Sequence, residues 1–198
     1  MSRPQVLVRP VEGANTQPLV DLWIENRVEW GTSSEAAIRI ATVGGLTSAL
    51  CRDDVTAFLA YVDETPVGYV VLRDTVAGPL TETTCTAIDS LFVSARWRRH
   101  GVARQLLAAA AAHADRVGAE TIVSHVPSGV RDANRFFARL GFSPTVVRRV
   151  TTPTALHRKL AASIESPKLS RDGLEQVIRR RRSARFRAVR QGAASPGL

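Results

Sequence analysis

The sequence predicts one α/β domain with a mixed sheet, followed by a basic C-terminal extension. Three observations carry that expectation. Strand-like and helix-like runs alternate in the order β-α-α-β-β-β-α-β-α-β-β. Between residues 88 and 107 a strand, a glycine-containing turn and an Ala/Leu-rich helix follow one another without interruption. The chain has 198 residues, 44% hydrophobic and 23% charged, enough apolar material for one sizeable core.

Taken in order, the apolar-polar alternation of "VLVRPV" near the N-terminus predicts a first strand. Residues 15–30 place Leu19, Leu22, Trp23 and Val28 near helical spacing. A second helix is expected over 33–50, with Ser33 or Ser34 as its cap and a weak point at Gly44-Gly45. The period then changes. Residues 55–63 and 66–74 flank "ETP" and read as a hairpin, and 81–93 is a third strand-like run rich in Thr and β-branched residues.

A helix from Gly101 to about Val117 ends at Gly118. Residues 121–127 read as a strand, and 131–141 as a short helix capped by Asp132 and stopped by Gly141. Residues 144–151 and 155–161 are expected to form a closing hairpin. The domain is placed at 1–161 and the extension at 162–198.

The net charge of +9 is unevenly spread. Residues 161–198 hold nine Lys or Arg against three acids, which leaves the first 160 nearly balanced. The tail is read in three ways: a solvated extension, a docking segment for nucleic acid or another polyanion, or a basic amphipathic helix on an anionic membrane surface. No apolar run reaches the ~20 residues that span a bilayer, and the first residues lack a signal-peptide core, so a cytosolic protein is expected. Arginine far outnumbers lysine, the usage expected of a GC-rich bacterial genome. Cys51 and Cys85 are expected as reduced thiols, and no His/Cys/Asp/Glu set has metal-ligand spacing.

The stretch "SARWRRHGVARQLL" carries the chemistry. It sets Arg96, Arg98, Arg99 and His100 immediately before Gly101-Val102-Ala103 and a helix start. The first N–H groups of a helix have no intrahelical partner, and the helix dipole adds partial positive charge, so such an end binds phosphate. Gly101 lets the backbone approach an anion, and arginines add charge-assisted hydrogen bonds. The bland alternative is a basic loop ahead of an ordinary helix. The stretch is neither a dinucleotide fingerprint nor a P-loop.

"IDSLFVSARWRRHGVARQLL" resembles the acetyl-CoA motif of the GNAT superfamily of N-acetyltransferases, in which Leu-x-Val leads into Arg/Gln-x-x-Gly-x-Gly/Ala. Leu91, Phe92 and Val93, then Arg98, Arg99, His100, Gly101, Val102 and Ala103, stand at the matching positions. "ANRFFARLGFSP" is similar to that family's second marker. The resemblance covers residues 6–161 and implies a GNAT fold with a mostly antiparallel central sheet. It further implies acetyl-CoA as acyl donor, a pyrophosphate held by backbone amides from Arg99 to Arg104, and pantetheine paired with the backbone of Phe92 and Val93. Asn134 would lie near the cofactor. Phe137 stands where many members carry the tyrosine that protonates the departing thiolate.

An amine must be neutral to attack a thioester, which calls for a base. Asp89 is the first candidate, with an exposed carboxylate or an arginine partner as its alternative reading. His125 is the second, against a core or rim histidine. Trp23, Glu25 and Trp30 are expected to border the acceptor pocket or, for Trp23, to pack the helix on the sheet. The function expected is acetyl transfer from acetyl-CoA to a primary amine. The rival is a non-catalytic acetyl-CoA sensor or scaffold acting through its tail. A homodimer is left open.

Overall fold

The computed structural model describes residues 5–165 except 14, 44, 79 and 128. Residues 166–198, most of the expected basic extension, lie outside the described residues. The chain divides into two compact units after Phe142.

The first unit is a five-stranded sheet in the order β1-β2-β3-β4-β5. Its strands are β1 (Val6–Pro10), β2 (Val55–Val62), β3 (Thr65–Val76), β4 (Thr84–Val93) and β5 (Thr121–Ser124). The first four pair antiparallel, and β5 joins β4 in parallel. The expected mixed, mostly antiparallel sheet is thus present. The β2–β3 turn has both central residues, Asp63 and Glu64, at positive φ, the two-residue turn that matches strand twist.

Alternation along the strands builds two cores. On one face Val70 and Leu72 of β3 and Ile88 and Val93 of β4 meet Val102, Leu106 and Ala110 of α4 (Val102–Val117). On the other, Leu59, Tyr69 and Phe92 meet Leu19 and Leu22 of α1 (Gln17–Glu29). Each fully buried aliphatic side chain contributes about 1.5–3 kcal/mol, so both faces of the sheet are covered because both sets of alternate residues are apolar. The helix α4 ends as expected at Gly118, whose φ of 68° allows Ala119 N–H to reach the Ala114 carbonyl.

Several expectations are corrected. The run 33–50 forms two helices, α2 (Ser34–Val43) and α3 (Leu46–Leu50), broken where Gly45 takes φ 68°. Ser33 is the cap of α2, its Oγ accepting from Ala36 N–H at 3.3 Å. Asp132 is not the cap of α5 (Arg131–Ala138); Val130 occupies that position and Asp132 sits in the first turn. The strand expected over 121–127 stops at Ser124, ahead of Pro127, which has no N–H for a ladder.

The closing hairpin is absent. Residues 143–152 have no regular structure, and Pro153–Glu165 is a helix, α6. The physical signals favour that outcome. "VVRRV" pairs like residues rather than alternating them. Thr152 caps α6 through its Oγ1, which accepts from Ala155 N–H, and Pro153 stands at the first helical position, with Leu156 and Leu160 at helical spacing. Among the described residues no helix is long and apolar enough to cross a membrane.

One buried polar cluster ties α4 to the sheet. His113, 4% exposed, donates from Nε2 to Asp74 Oδ2 at 2.8 Å. Its Nδ1 accepts from Arg116 at 2.8 Å, which fixes that tautomer. Thr86 Oγ1 donates to the other oxygen of Asp74 at 2.9 Å. Asp74→Ala strips the acceptor from two buried donors, each worth about 1–3 kcal/mol when unsatisfied. The expected loss in urea denaturation is about 2–4 kcal/mol, whereas Thr86→Val, which exposes only a partly solvated carboxylate oxygen, is expected to cost about 1 kcal/mol.

Candidate active site at the open edge of β4

The site grows from an irregularity in one strand. Val71 pairs with Ser90 and Leu72 with Ile88, so Asp89 has no partner in β3 and forms a bulge. Strict alternation from Ile88 would put Asp89 and Ser90 on opposite faces. The extra residue resets the alternation, and both side chains reach the face covered by α1: Asp89 meets Arg73, and Ser90 meets Tyr69.

The same place ends the pairing with β5, whose last rung is Ile88 with Ser124. Residues 89–93 of β4 therefore have no strand on that edge among the described residues. The backbone groups of alternate residues point to opposite edges. Ser94 N–H donates to Val67 O, so Ser94 and Phe92 face β3, and Leu91 and Val93 face the open edge. The backbone groups of Phe92, expected at that edge, point to β3 instead. The Phe92 side chain instead packs under α1, 5% exposed. Gly68 makes the close approach of β3 possible: a Cβ on it would lie 2.7 Å from Phe92 O.

Past Val93, a short 3-10 turn (Ala95–Trp97) leads to the loop before α4. Arg99 and Gly101 both take left-handed φ, 66° and 88°, with His100 between them. Alternating handedness points successive amides inward, the concavity that holds anions. Among the described residues, no acceptor is present for the N–H groups of Arg99, His100, Gly101, Val102 or Ala103. His100 donates from Nδ1 to Arg98 O at 2.8 Å, which stiffens the turn and leaves Nε2 outward. Arg99 and Arg104 form no ion pair among the described residues.

Arg98 has another task. Its Nε donates to Val93 O at 2.9 Å, and its NH2 to Glu29 of α1. It closes the open edge at the last residue of β4 and fixes the start of the loop. Its guanidinium is thus engaged with strand and helix rather than free for an anion. Glu25 accepts from Ser94 Oγ at 2.9 Å, a second bond from α1 to the same corner. Trp23 packs against the core beneath α1, and Trp30 follows that helix, 61% exposed.

Both base candidates meet here. Asp89 accepts from Arg73 Nε at 2.7 Å and NH2 at 3.1 Å. These hydrogen bonds and the carboxylate charge raise the Arg73 guanidinium above its ordinary value. His125, expected late in a strand, lies just beyond β5; its Nδ1 is 3.6 Å from Asp89 Oδ1 and its side chain is 55% exposed. Asn134 donates to Pro127 O and Val130 O, holding the loop before α5 rather than presenting its NH2 outward. Phe137, 8% exposed, stands edge-on to Phe136 and Phe142 in the core under α4. An apolar ring suits that position.

Sequence reading missed Arg73, Tyr69 and Asn26. Tyr69 is fully buried, with Asn26 Nδ2 at 2.9 Å and Ser90 Oγ at 3.1 Å from its hydroxyl. Burial pushes the Tyr69 phenol up, and the hydrogen bonds with Ser90 and Asn26 partly oppose it. These residues lie far apart in sequence, and only the register of β3 against β4 joins them. Among the described residues, no group of three or more His, Cys, Asp or Glu has the geometry to hold a metal ion.

The model of the acetyltransferase (GNAT) family matches residues 17–142. The chain belongs to that family. It is an acyltransferase by that membership. Solved structures share the fold at low identity. An aminoglycoside N-acetyltransferase in complex with CoA is 17% identical, with a TM-score of 0.61, over 75% of this chain and 95% of its own. A ribosomal-protein-alanine N-acetyltransferase from Brucella melitensis is 18% identical, with a TM-score of 0.62, over 75% and 99%. A transcriptional regulator from Bacillus halodurans C-125 gives 18% and 0.62 over 75% and 99%. No match was found among curated proteins.

Gly68→Ala tests the geometry of this corner. The new methyl meets the Phe92 carbonyl, which is backbone and cannot swing aside. Overpacking of this kind costs about 1–3 kcal/mol. The expected result in urea denaturation is an unfolding free energy lower by that amount, read as a lower midpoint at unchanged slope; an unchanged midpoint means β3 and β4 do not need the close approach.

Proposed function

We propose that the chain is an N-acetyltransferase that uses acetyl-CoA to acetylate a primary amine. The observation that carries this reading is the coincidence of three features in one corner. The bulge at Asp89, the open edge beyond it and the loop of unpartnered amides follow one another along a single run of chain. The donor's shape fits that run. The loop from Arg99 to Ala103 suits a pyrophosphate, since its amides converge and Gly101 adds no side chain. Leu91 and the Val93 N–H suit an amide-bearing arm added as an extra strand. A thioester at the end of that arm lies near the bulge.

Bound there, acetyl-CoA supplies the thioester carbon that the amine nitrogen attacks. The new N–C bond forms as the C–S bond breaks and the sulfur leaves as thiolate. An ammonium loses one proton to become the neutral nucleophile and a second as the N–C bond forms; His125 is the residue to take the first, directly or through a water, and the departing thiolate or solvent takes the second. Its Nδ1 side faces Asp89, so the opposite ring nitrogen is left for the acceptor. Both oxygens of Asp89 already accept from Arg73, which suits that carboxylate to orienting a neighbour. A proton on His125 makes a cation 3.6 Å from it, a favourable pairing. Phe137 has no proton to give, so the thiolate departs without help from that position. A thiol's ordinary pKa near 8.5 makes it a fair leaving group at neutral pH.

Gly101→Glu is expected to abolish acetyl-CoA binding in calorimetry on folded protein. It forces a side chain onto φ 88° and brings a carboxylate into the amide cradle. Unchanged affinity rejects the pyrophosphate assignment. His125→Ala is expected to lower the rate of thiol release at neutral pH by about 100-fold, with recovery at high pH, where the amine is already neutral. Asp89→Asn is expected to do the same to a smaller degree. If both pH–rate profiles overlay that of the parent, neither residue handles the proton. Thiol release with no amine in a broad panel returns the chain to the role of a CoA-binding sensor.

A further inference from the structure

The hydroxyl of Ser90 completes a chain of hydrogen bonds whose direction can be worked out. Asn26 Nδ2 can only donate, and it donates to the Tyr69 hydroxyl oxygen. Tyr69 is fully buried, and Ser90 Oγ, at 3.1 Å, is the remaining polar atom paired with its hydroxyl. If Ser90 donated to Tyr69, the phenolic hydrogen would be left buried without an acceptor, which costs about 1–3 kcal/mol. Tyr69 therefore donates to Ser90, and the Ser90 hydrogen is free to point elsewhere. Ser90 is only half-buried, follows the bulge, and lies where β4 parts from β5.

We propose that Ser90 is a catalytic hydrogen-bond donor to the thioester carbonyl oxygen, with Tyr69 and Asn26 as positioning residues behind it. This rests on the acetyl-transfer reading above. As the amine nitrogen bonds to the carbonyl carbon, the C=O electron pair moves onto oxygen. That negative charge needs fixed donors. Ser90 keeps its proton throughout and gives a hydrogen bond only; when the C–S bond breaks, the electron pair on oxygen returns to the carbonyl and the sulfur carries the charge away. Donation by Asn26 to Tyr69, and by Tyr69 to Ser90, polarises the last O–H in the chain. Burial supports the same role, since a phenol pushed up remains protonated and remains a donor.

The test uses the full chain, acetyl-CoA and the best amine of an acceptor panel. Ser90→Ala is expected to lower kcat by about 100-fold, with KM for acetyl-CoA and the calorimetric affinity for CoA unchanged. Ser90→Thr, which restores the hydroxyl, is expected to recover most of the rate. Tyr69→Phe is expected to lower kcat by about 10-fold and to add nothing in the Ser90→Ala background, because the two act through one hydrogen bond. A purely structural role for Tyr69 would instead lower both backgrounds equally, and that overturns the proposal. So does a Ser90→Ala kcat within twofold of the parent while the parent turns over. A parent that binds CoA and releases no thiol with any amine removes the acetyl-transfer reading and the Ser90 role with it.

Discussion

Strand β4 is held differently on its two edges, and the candidate site follows from that difference. On one edge it pairs with β3 over Thr84–Val93, interrupted only at Asp89. On the other it pairs with β5 for four rungs, Cys85 to Ile88, and then runs on alone. The interruption and the parting occur at the same residue. Unpaired backbone amides and carbonyls on a strand edge favour a partner that can supply the missing hydrogen bonds. The bulge adds two successive polar side chains on one face, which an unbroken strand cannot present.

The rest of the first unit keeps that edge in place. Leu106 and Val102 of α4 pack against Val70, Leu72 and Val93, which locks the loop before α4 to the end of β4. From the opposite face, α1 sends Glu25 to Ser94, Asn26 to Tyr69 and Glu29 to Arg98. Arg98 joins these contacts to the strand itself through Val93 O. Partly buried polar contacts of this sort fix geometry more than they add stability. They hold the strand end, the amide loop and the helix beside them as one rigid corner.

The candidate base pair belongs to the same arrangement. Asp89 reaches Arg73 because the bulge turns it to the α1 face, and His125 reaches Asp89 because β5 stops at Ser124. The shortness of β5 thus opens the edge and also delivers the imidazole. Phe137 sits apart from these groups in the core beneath α4, where its ring fills space against Phe136 and Phe142.

The sequence by itself determined the strand–turn–helix around Gly101, the mixed sheet and the family. Those features rest on local physics: alternation, glycine at a positive-φ turn, and the unpaired amides of a helix start. It also contained the signals of α6 in Thr152, Pro153, Leu156 and Leu160, although the β-branched Val146, Val147 and Val150 ahead of that helix favour a strand. Only the tertiary structure decided that Asp89 is a bulge, that Leu91 rather than Phe92 faces the open edge, and that Arg98 binds Val93 and Glu29. It alone joined Asn26, Tyr69 and Ser90. Each of these depends on the register of two strands or on a helix crossing a sheet. Register is set by the packing of residues distant in the chain, so a window of neighbouring residues holds no trace of it.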